Sequence, residues 1–302
     1  MHTVKLLKDT EECIAITANQ CINLDLNGHK IINDNNVITN EGTLYVNGGS
    51  IISGGNAIYT NGKGLFIGNE SPCNLQGTGE GSVVFSNIGG VKFYSGTIIN
   101  SMEENAGPCV KLYENGAKNE LYMYGGEIIC NNGHGVYIKS ARAYLYAGKI
   151  TATTKNGNAC YADGYLTIGE QGKSGPTITG DGYTLIKPIS YTTTINSGNF
   201  ELKTSGNIIK ASGGYIYING GNFINDSGSD LIGVSGARTY INGGNFRSNV
   251  GYCASIKSGY LYINNGSFYG TKEYVLSRTG GTYSIKGGTY NDVTITDELV
   301  KK

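Results

Sequence analysis

What this chain lacks narrows its class before any motif is read. No window long enough to judge shows the 3.6-residue period of an amphipathic helix, which excludes helical and mixed α/β architectures. No apolar run reaches the ~20 residues of a membrane-spanning helix. Lys plus Arg number 23 against 23 for Asp plus Glu, so the net charge is zero and a nucleic-acid partner has no electrostatic support. His2, His29 and His134 stand far apart without metal-ligand spacing, and the calcium-binding nonapeptide Gly-Gly-x-Gly-x-Asp is missing, so no metal or cofactor is implied. There is no Trp beside 23 Tyr and 7 Phe, a skew towards the amphipathic aromatic that favours an outer role for many of them.

What is present is a repeat. Tyr217-Ile218-Asn219-Gly220-Gly221-Asn222-Phe223 returns as Tyr240-Ile241-Asn242-Gly243-Gly244-Asn245-Phe246, then as Tyr262-Ile263-Asn264-Asn265-Gly266-Ser267-Phe268, and last as Ser284-Ile285-Lys286-Gly287-Gly288-Thr289-Tyr290. The steps are 23, 22 and 22 residues, a period that means one supersecondary unit stacked on copies of itself. Earlier copies end at Gly49, Gly96, Gly126, Gly148 and Gly198, with variant turns at Ile67-Gly68 and Ile168-Gly169.

Inside each unit the period is two. Leu261-Tyr262-Ile263 and Ile216-Tyr217-Ile218 alternate and are rich in β-branched and aromatic residues, as half-buried strands require. A Gly-Gly or Asn-Gly corner follows, then a second strand at the Phe or Ile beyond it, then a third such as Asn207–Ser212 closed by another Gly. The expectation is an all-β, single-domain parallel β-helix, or β-solenoid, of about eleven coils of 22–23 residues. The right hand is favoured because the hexapeptide rhythm of left-handed versions is absent. Residues 1–40 form a cap and the first coils, 41–290 the repeat, and 291–302 a closing cap or tail.

Stacking turns equivalent positions into columns. Ile51, Ile98, Ile128 and Ile150, followed by Phe200, Phe223, Phe246, Phe268 and Tyr290, alternate correctly to be core. Asn196, Asn219, Asn242 and Asn264 hold a corner, where one side-chain amide can pair with the next. Tyr45, Tyr122, Tyr144, Tyr217, Tyr240 and Tyr262 sit mid-strand between inward residues and therefore face out. Such a row suits stacking on sugar rings or packing against another protein; it also suits plain strand formation and self-stacking.

Catalysis finds little footing in these columns. A glycan-cleaving β-helix needs carboxylates, often with Arg or Lys, gathered on one face. No column from residue 190 onward repeats an acid, and only four Arg occur, at 142, 238, 247 and 278. The nearest constellation is Asp226 and Asp230 with Arg238 and Arg247, expected to lie on solvated corners. Glu103, Glu104, Glu114 and Glu120 are expected in a solvated loop excursion of one enlarged coil. Cys13, Cys21, Cys73, Cys109, Cys130, Cys160 and Cys253 form no CxxC pair and read mostly as small buried apolar side chains, in a reducing or anaerobic setting. The opening Met1–Leu7 turns charged at once and reads as the boundary of an excised domain rather than a secretory leader.

The segments Lys5–Asp9, Ile14-Ala15-Ile16 and Ile22-Asn23-Leu24-Asp25-Leu26-Asn27-Gly28-His29-Lys30-Ile31-Ile32, with the turns at Gly68 and Gly169 and the closing Ile285–Asp292, resemble the pectin-lyase-like right-handed β-helix domains of large surface proteins of anaerobic Gram-positive bacteria. The resemblance covers essentially the whole chain and implies an extracellular, bacterial cell-surface setting. The calcium-binding Asp clusters and Arg motifs of pectate lyases and the paired Asp motifs of polygalacturonases are not matched. The expectation is a non-catalytic adhesin or structural spacer whose partner is a glycan or a host or neighbouring-cell protein. The alternatives are a polysaccharide lyase or glycoside hydrolase, and a phage-tail or filament subunit that self-associates end to end or as a trimer.

Overall fold

The computed structural model describes residues 1–113, 118–153 and 157–301; Glu114 of the expected glutamate loop and Lys302 of the closing tail lie outside them. The chain is an all-β, right-handed parallel solenoid of about 13 turns. Each turn contributes to three ladders. The first face, before the Gly corner, runs from His2–Lys5 to Thr282–Ile285, and the second, after it, from Lys30–Asn33 to Thr289–Tyr290. The third face runs from Ile14–Ile16 to Val300–Lys301. At one end Val293–Thr294 turns back antiparallel on Thr289–Tyr290. At ~4.8 Å per turn the rod is about 60 Å long.

The excess over eleven coils comes from the start of the chain. His2–Lys5 pairs in parallel with Ile22–Asp25, and Cys21–Asp25 with Thr43–Asn47, so two turns precede the first Gly-Gly corner. Their corners lack the repeated signature: one is Asn27-Gly28, with φ of 52° and 80°. A second departure concerns the corner between the third and first faces. In four turns the two strands fuse into one bent segment: Val136–Leu145, Asn158–Ile168, Ile232–Ile241 and Ala254–Ile263. Register shifts at Lys139/Arg142 and at Ser235/Arg238 absorb the bend.

The interior is built as the alternation requires. Phe200, Phe223, Phe246 and Phe268 are buried and stack at 4.5, 4.8 and 4.7 Å between ring centroids. Ile51, Leu75, Ile98, Ile128, Ile150 and Ile178 continue the same buried column through the earlier turns. The corner beside it needs glycine for two reasons. Gly244 has φ of 115°, and a Cβ there would press on the Phe246 ring at 3.1 Å. The asparagine corner forms the expected ladder, each Nδ2 donating to the preceding Oδ1: Asn219 to Asn196 at 2.9 Å, Asn242 to Asn219 at 2.8 Å and Asn264 to Asn242 at 2.8 Å.

Candidate functional site

The six tyrosines share one outward column of the first face. Its register runs Asn23, Tyr45, Phe66, Lys92, Tyr122, Tyr144, Thr167, Thr194, Tyr217, Tyr240, Tyr262 and Ser284. Inward neighbours such as Leu121 and Met123, or Thr239 and Ile241, are buried, while each of the six tyrosines is half-buried. The half burial has a definite cause. Tyr217, Tyr240 and Tyr262 stack at 5.1 and 4.8 Å with planes within 10°, and Tyr122 stacks on Tyr144 at 4.9 Å.

The ring planes therefore lie across the rod axis, and neighbours cover the faces of the inner rings. Their edges and hydroxyls are what meets solvent. Tyr45 stacks on Phe66 at 4.3 Å, and the Lys92 ammonium bridges the Phe66 ring (5.2 Å) to the Tyr122 ring (6.0 Å). Two stacks result, separated by Thr167 and Thr194. Within the column, ring faces are left open only at stack ends: Tyr45 towards Asn23, Tyr144 towards Thr167, Tyr217 towards Thr194 and Tyr262 towards Ser284.

Flanking rows widen this strip. On the corner side, Tyr124 stacks on Tyr94 at 5.1 Å and lies 5.6 Å from Tyr146. On the other side the register places Glu120 beside Arg142 and Arg142 beside Tyr165, and later Tyr215 beside Arg238 and Arg238 beside Tyr260. The guanidinium of Arg142 lies 4.4 Å from the Tyr165 ring, and that of Arg238 lies 4.9 Å from Tyr260. The result is a strip of tyrosine hydroxyls interleaved with cations that have no carboxylate partner among the described residues; such a surface donates and accepts hydrogen bonds along the rod.

Glu120 corrects the sequence reading. It stands in the strand Asn119–Met123 and is buried, not in a solvated excursion. Tyr122 Oη donates to its Oε2 at 2.8 Å, and Lys118 Nζ lies 3.0 Å from its Oε1. Burial, with this hydrogen bond and the adjacent carboxylate charge, pushes the Tyr122 phenol well above its usual range, because each disfavours the phenolate. Glu103 and Glu104 are exposed in the turn, as expected. Other carboxylates flank this strip: Asp25 stands four coils from Glu120, ~19 Å along the rod, while Asp163 in the fused strand Asn158–Ile168 and Glu170, whose charge acts with that of Glu120 on Tyr146, stand two coils from it.

Compared with protein-family models, with curated proteins and with solved structures, the chain finds no match. The remaining sequence candidates do not assemble. Arg238 lies over first-face rings, whereas Arg247 is on the second face and donates to Asn249 Oδ1 at 3.0 Å. Asn249 Nδ2 donates in turn to Asp226, and Asp230 accepts the Tyr252 backbone N–H at 3.0 Å. The Asn249–Asp226 and Tyr252–Asp230 bonds clasp successive turns, whereas Arg247–Asn249 lies within one turn. Cys73, Cys109, Cys130, Cys160 and Cys253 are buried, and burial raises the thiols of Cys73, Cys130 and Cys253 to about 12, so none is an activated nucleophile.

His134 also escaped sequence reading, since nothing in its spacing signals a partner. It lies beside the stacked pair Tyr137 and Tyr161, 5.6 and 5.0 Å from their rings, and its Nδ1 accepts the Asn158 N–H at 3.0 Å. Phe66 and Lys92 could have been found by counting register from Tyr45. Arg142 could have been found too, two residues before Tyr144 in the same strand, although the shift after Lys139 hides its relation to the third face.

Proposed function

We propose that this solenoid is a non-catalytic spacer and adhesin of a bacterial surface that holds a glycan along its first face. The carrying observation is the concentration of stacked tyrosines and unpaired arginines in one outward strip, whose flanking carboxylates Asp163 and Glu170 stand two coils from Glu120, ~10 Å along the rod. Glycoside hydrolysis with paired carboxylates needs a separation of about 5–9.5 Å. Kinship with pectin-lyase-like surface domains belongs to the same proposal, and the right-handed coil supports it.

The stacked geometry refines the mode of binding. Inner rings cannot stack on sugars because their neighbours cover them, so hydroxyl edges and guanidinium groups carry hydrogen bonds to the glycan, and sugar stacking within the column is confined to the open faces at Tyr45, Tyr144, Tyr217 and Tyr262. A glycan array tests this with the triple variant Tyr217→Phe, Tyr240→Phe, Tyr262→Phe, which keeps the stack and removes the hydroxyls, beside the corresponding triple Ala variant. Binding by the parent that is weakened at least tenfold in both variants is expected. Equal binding by all three proteins sinks the proposed face, and no binding by the parent turns the reading to a protein-binding or purely spacing role.

A second reading is favoured by one cluster. Glu120, hydrogen-bonded to Tyr122 and beside Lys118 and Arg142, places an acid, a phenol and two cations on adjacent coils, as a polysaccharide lyase would require. Release of unsaturated product from an acidic polysaccharide, abolished by Glu120→Gln, would replace the binding reading with this one.

A further inference from the structure

The third face has an outward row of its own, and it breaks at one point. Tyr161 is followed by Lys187, Lys210, Gly233, Ser255 and Ser277 on successive turns. Where side chains give out at Gly233, a cleft of about 340 Å³ opens, with Lys210 and Lys257 on its walls, Asn207 and Asp230 at its edge, and Gly233 and Ser255 as its floor. That volume is at the small end of the ~300–1,000 Å³ typical of ligand sites and suits one sugar unit.

The charges of the cleft are unbalanced. Neither Lys210 nor Lys257 has an ion-pair partner among the described residues, and Lys187 adds a further cation one turn below Lys210. Lys210 instead lies 6.0 Å from the Tyr183 ring. Asp230 is the one acid in the lining, and it is already engaged by the Tyr252 N–H. Two ammonium groups against one carboxylate leave the cleft with a single excess positive charge. Because the lysines approach from different turns, an oxyanion with oxygens on several sides engages both, which a tetrahedral sulfate or phosphate does and a planar carboxylate does less well.

We propose that this cleft binds a hexose-sized polyol carrying one tetrahedral monoanion, a sulfate ester or a phosphodiester. Lys210 and Lys257 hold the oxyanion, and Ser255 and Asn207 meet the polyol hydroxyls. The site is independent of the tyrosine strip, being on another face of the coil.

Titration calorimetry tests it with galactose 6-sulfate, glycerophosphoglycerol and neutral galactose as probes. The proteins compared are the parent, Lys210→Ala, Lys257→Ala and Gly233→Leu. Gly233 lies outside the left-handed backbone region, and an added Cβ meets Asn207 Nδ2 at 3.3 Å, so leucine fills the cleft at the cost of a small shift of the Asn207 amide, with the fold of the variant checked by circular dichroism. The expected result is saturable binding of one anion, none of galactose, a tenfold or greater loss in each lysine variant, and abolition in Gly233→Leu. The preferred anion tells sulfate from phosphodiester. Failure of both anions to saturate, or parent-like binding by the two lysine variants or by folded Gly233→Leu, overturns the proposal.

Discussion

Replacing Phe246 by alanine removes the middle ring of a buried stack. The ring is fully buried, stands 4.8 Å from Phe223 and 4.7 Å from Phe268, and lies under the Gly244 corner, where it leaves no room for a side chain. Phe→Ala in a core costs about 3–5 kcal/mol, including the cavity left behind. The upper half of that range applies, for two reasons. Both neighbours lose an aromatic partner, a contact worth about 0.5–1.5 kcal/mol beyond burial. The strands on either side are also held in register by the ladder, so the cavity cannot close by collapse.

The size of the effect in a melt follows from the chain length. With an unfolding entropy of ~2.1 cal/mol/K per residue, 302 residues give about 0.6 kcal/mol/K, so a loss of ~4 kcal/mol lowers the midpoint by about 6 °C for concerted unfolding. If the solenoid instead unfolds by segments, the same loss is concentrated in fewer residues and the local shift is larger. Thermal melts by circular dichroism, with Phe246→Leu as a volume-sparing control expected to lose under ~1.5 kcal/mol, decide the matter. A midpoint within 2 °C of the parent for Phe246→Ala would refute the core placement of the phenylalanine column.

Thr193 and Thr239 face the core with hydroxyls that find no partner among the described residues, so Thr193→Val and Thr239→Val are each expected to stabilise the fold by about 1 kcal/mol; a urea midpoint that falls would show that each hydroxyl is satisfied. His134 is held neutral to about pH 4, first by burial and then by the Lys187 charge. Its folded value lies below the unfolded one of about 6.5, so the unfolded chain binds the extra proton between these limits. The stability it contributes is complete above about pH 6.5 and is lost as pH falls towards 4. His134→Gln is expected to flatten that part of the stability profile, and an unchanged slope would place the acid sensitivity elsewhere.

Period, hand, core and corners were legible because stacking forces one residue type to recur at one place. Phe223 and Phe246, or Asn219 and Asn242, are equivalent in sequence because they are neighbours in space. Legibility failed where that equivalence lapses. The first two turns use corners without Gly-Gly, so the repeat does not announce them. Glu120 follows an irregular stretch and was read with it, although alternation from Tyr122 two residues on places it outward on the strand that pairs in full register with Gly89–Phe93. Arg142 and Arg238 each stand two residues before a column tyrosine, so their row was countable from Tyr144 and Tyr240, and the register shifts before them obscure only how that row joins the third face. The cleft at Gly233 is a column interrupted by an absent side chain, a signal visible only when the outward rows are aligned.

Stacking alone accounts for the burial of the tyrosines but not for the form of the strip. A column kept only to steady the coil should run on, as the interior column does from Phe200 through Phe268 without a break. The outer column does not. It stops at Tyr144, yields two turns to Thr167 and Thr194, and resumes at Tyr217, leaving open ring faces at both edges of a gap of about 14 Å, three coil spacings. The threonines are good strand formers, so the gap costs the fold little, and their hydroxyls supply hydrogen-bonding groups between the two rings. Arg142 overhangs the neighbouring Tyr165 ring at 4.4 Å, where a charge serves no ion pair among the described residues. Ring faces, hydroxyls and a spare cation meet in that gap, so under the proposed glycan reading the contact on the first face concentrates around Thr167 and Thr194.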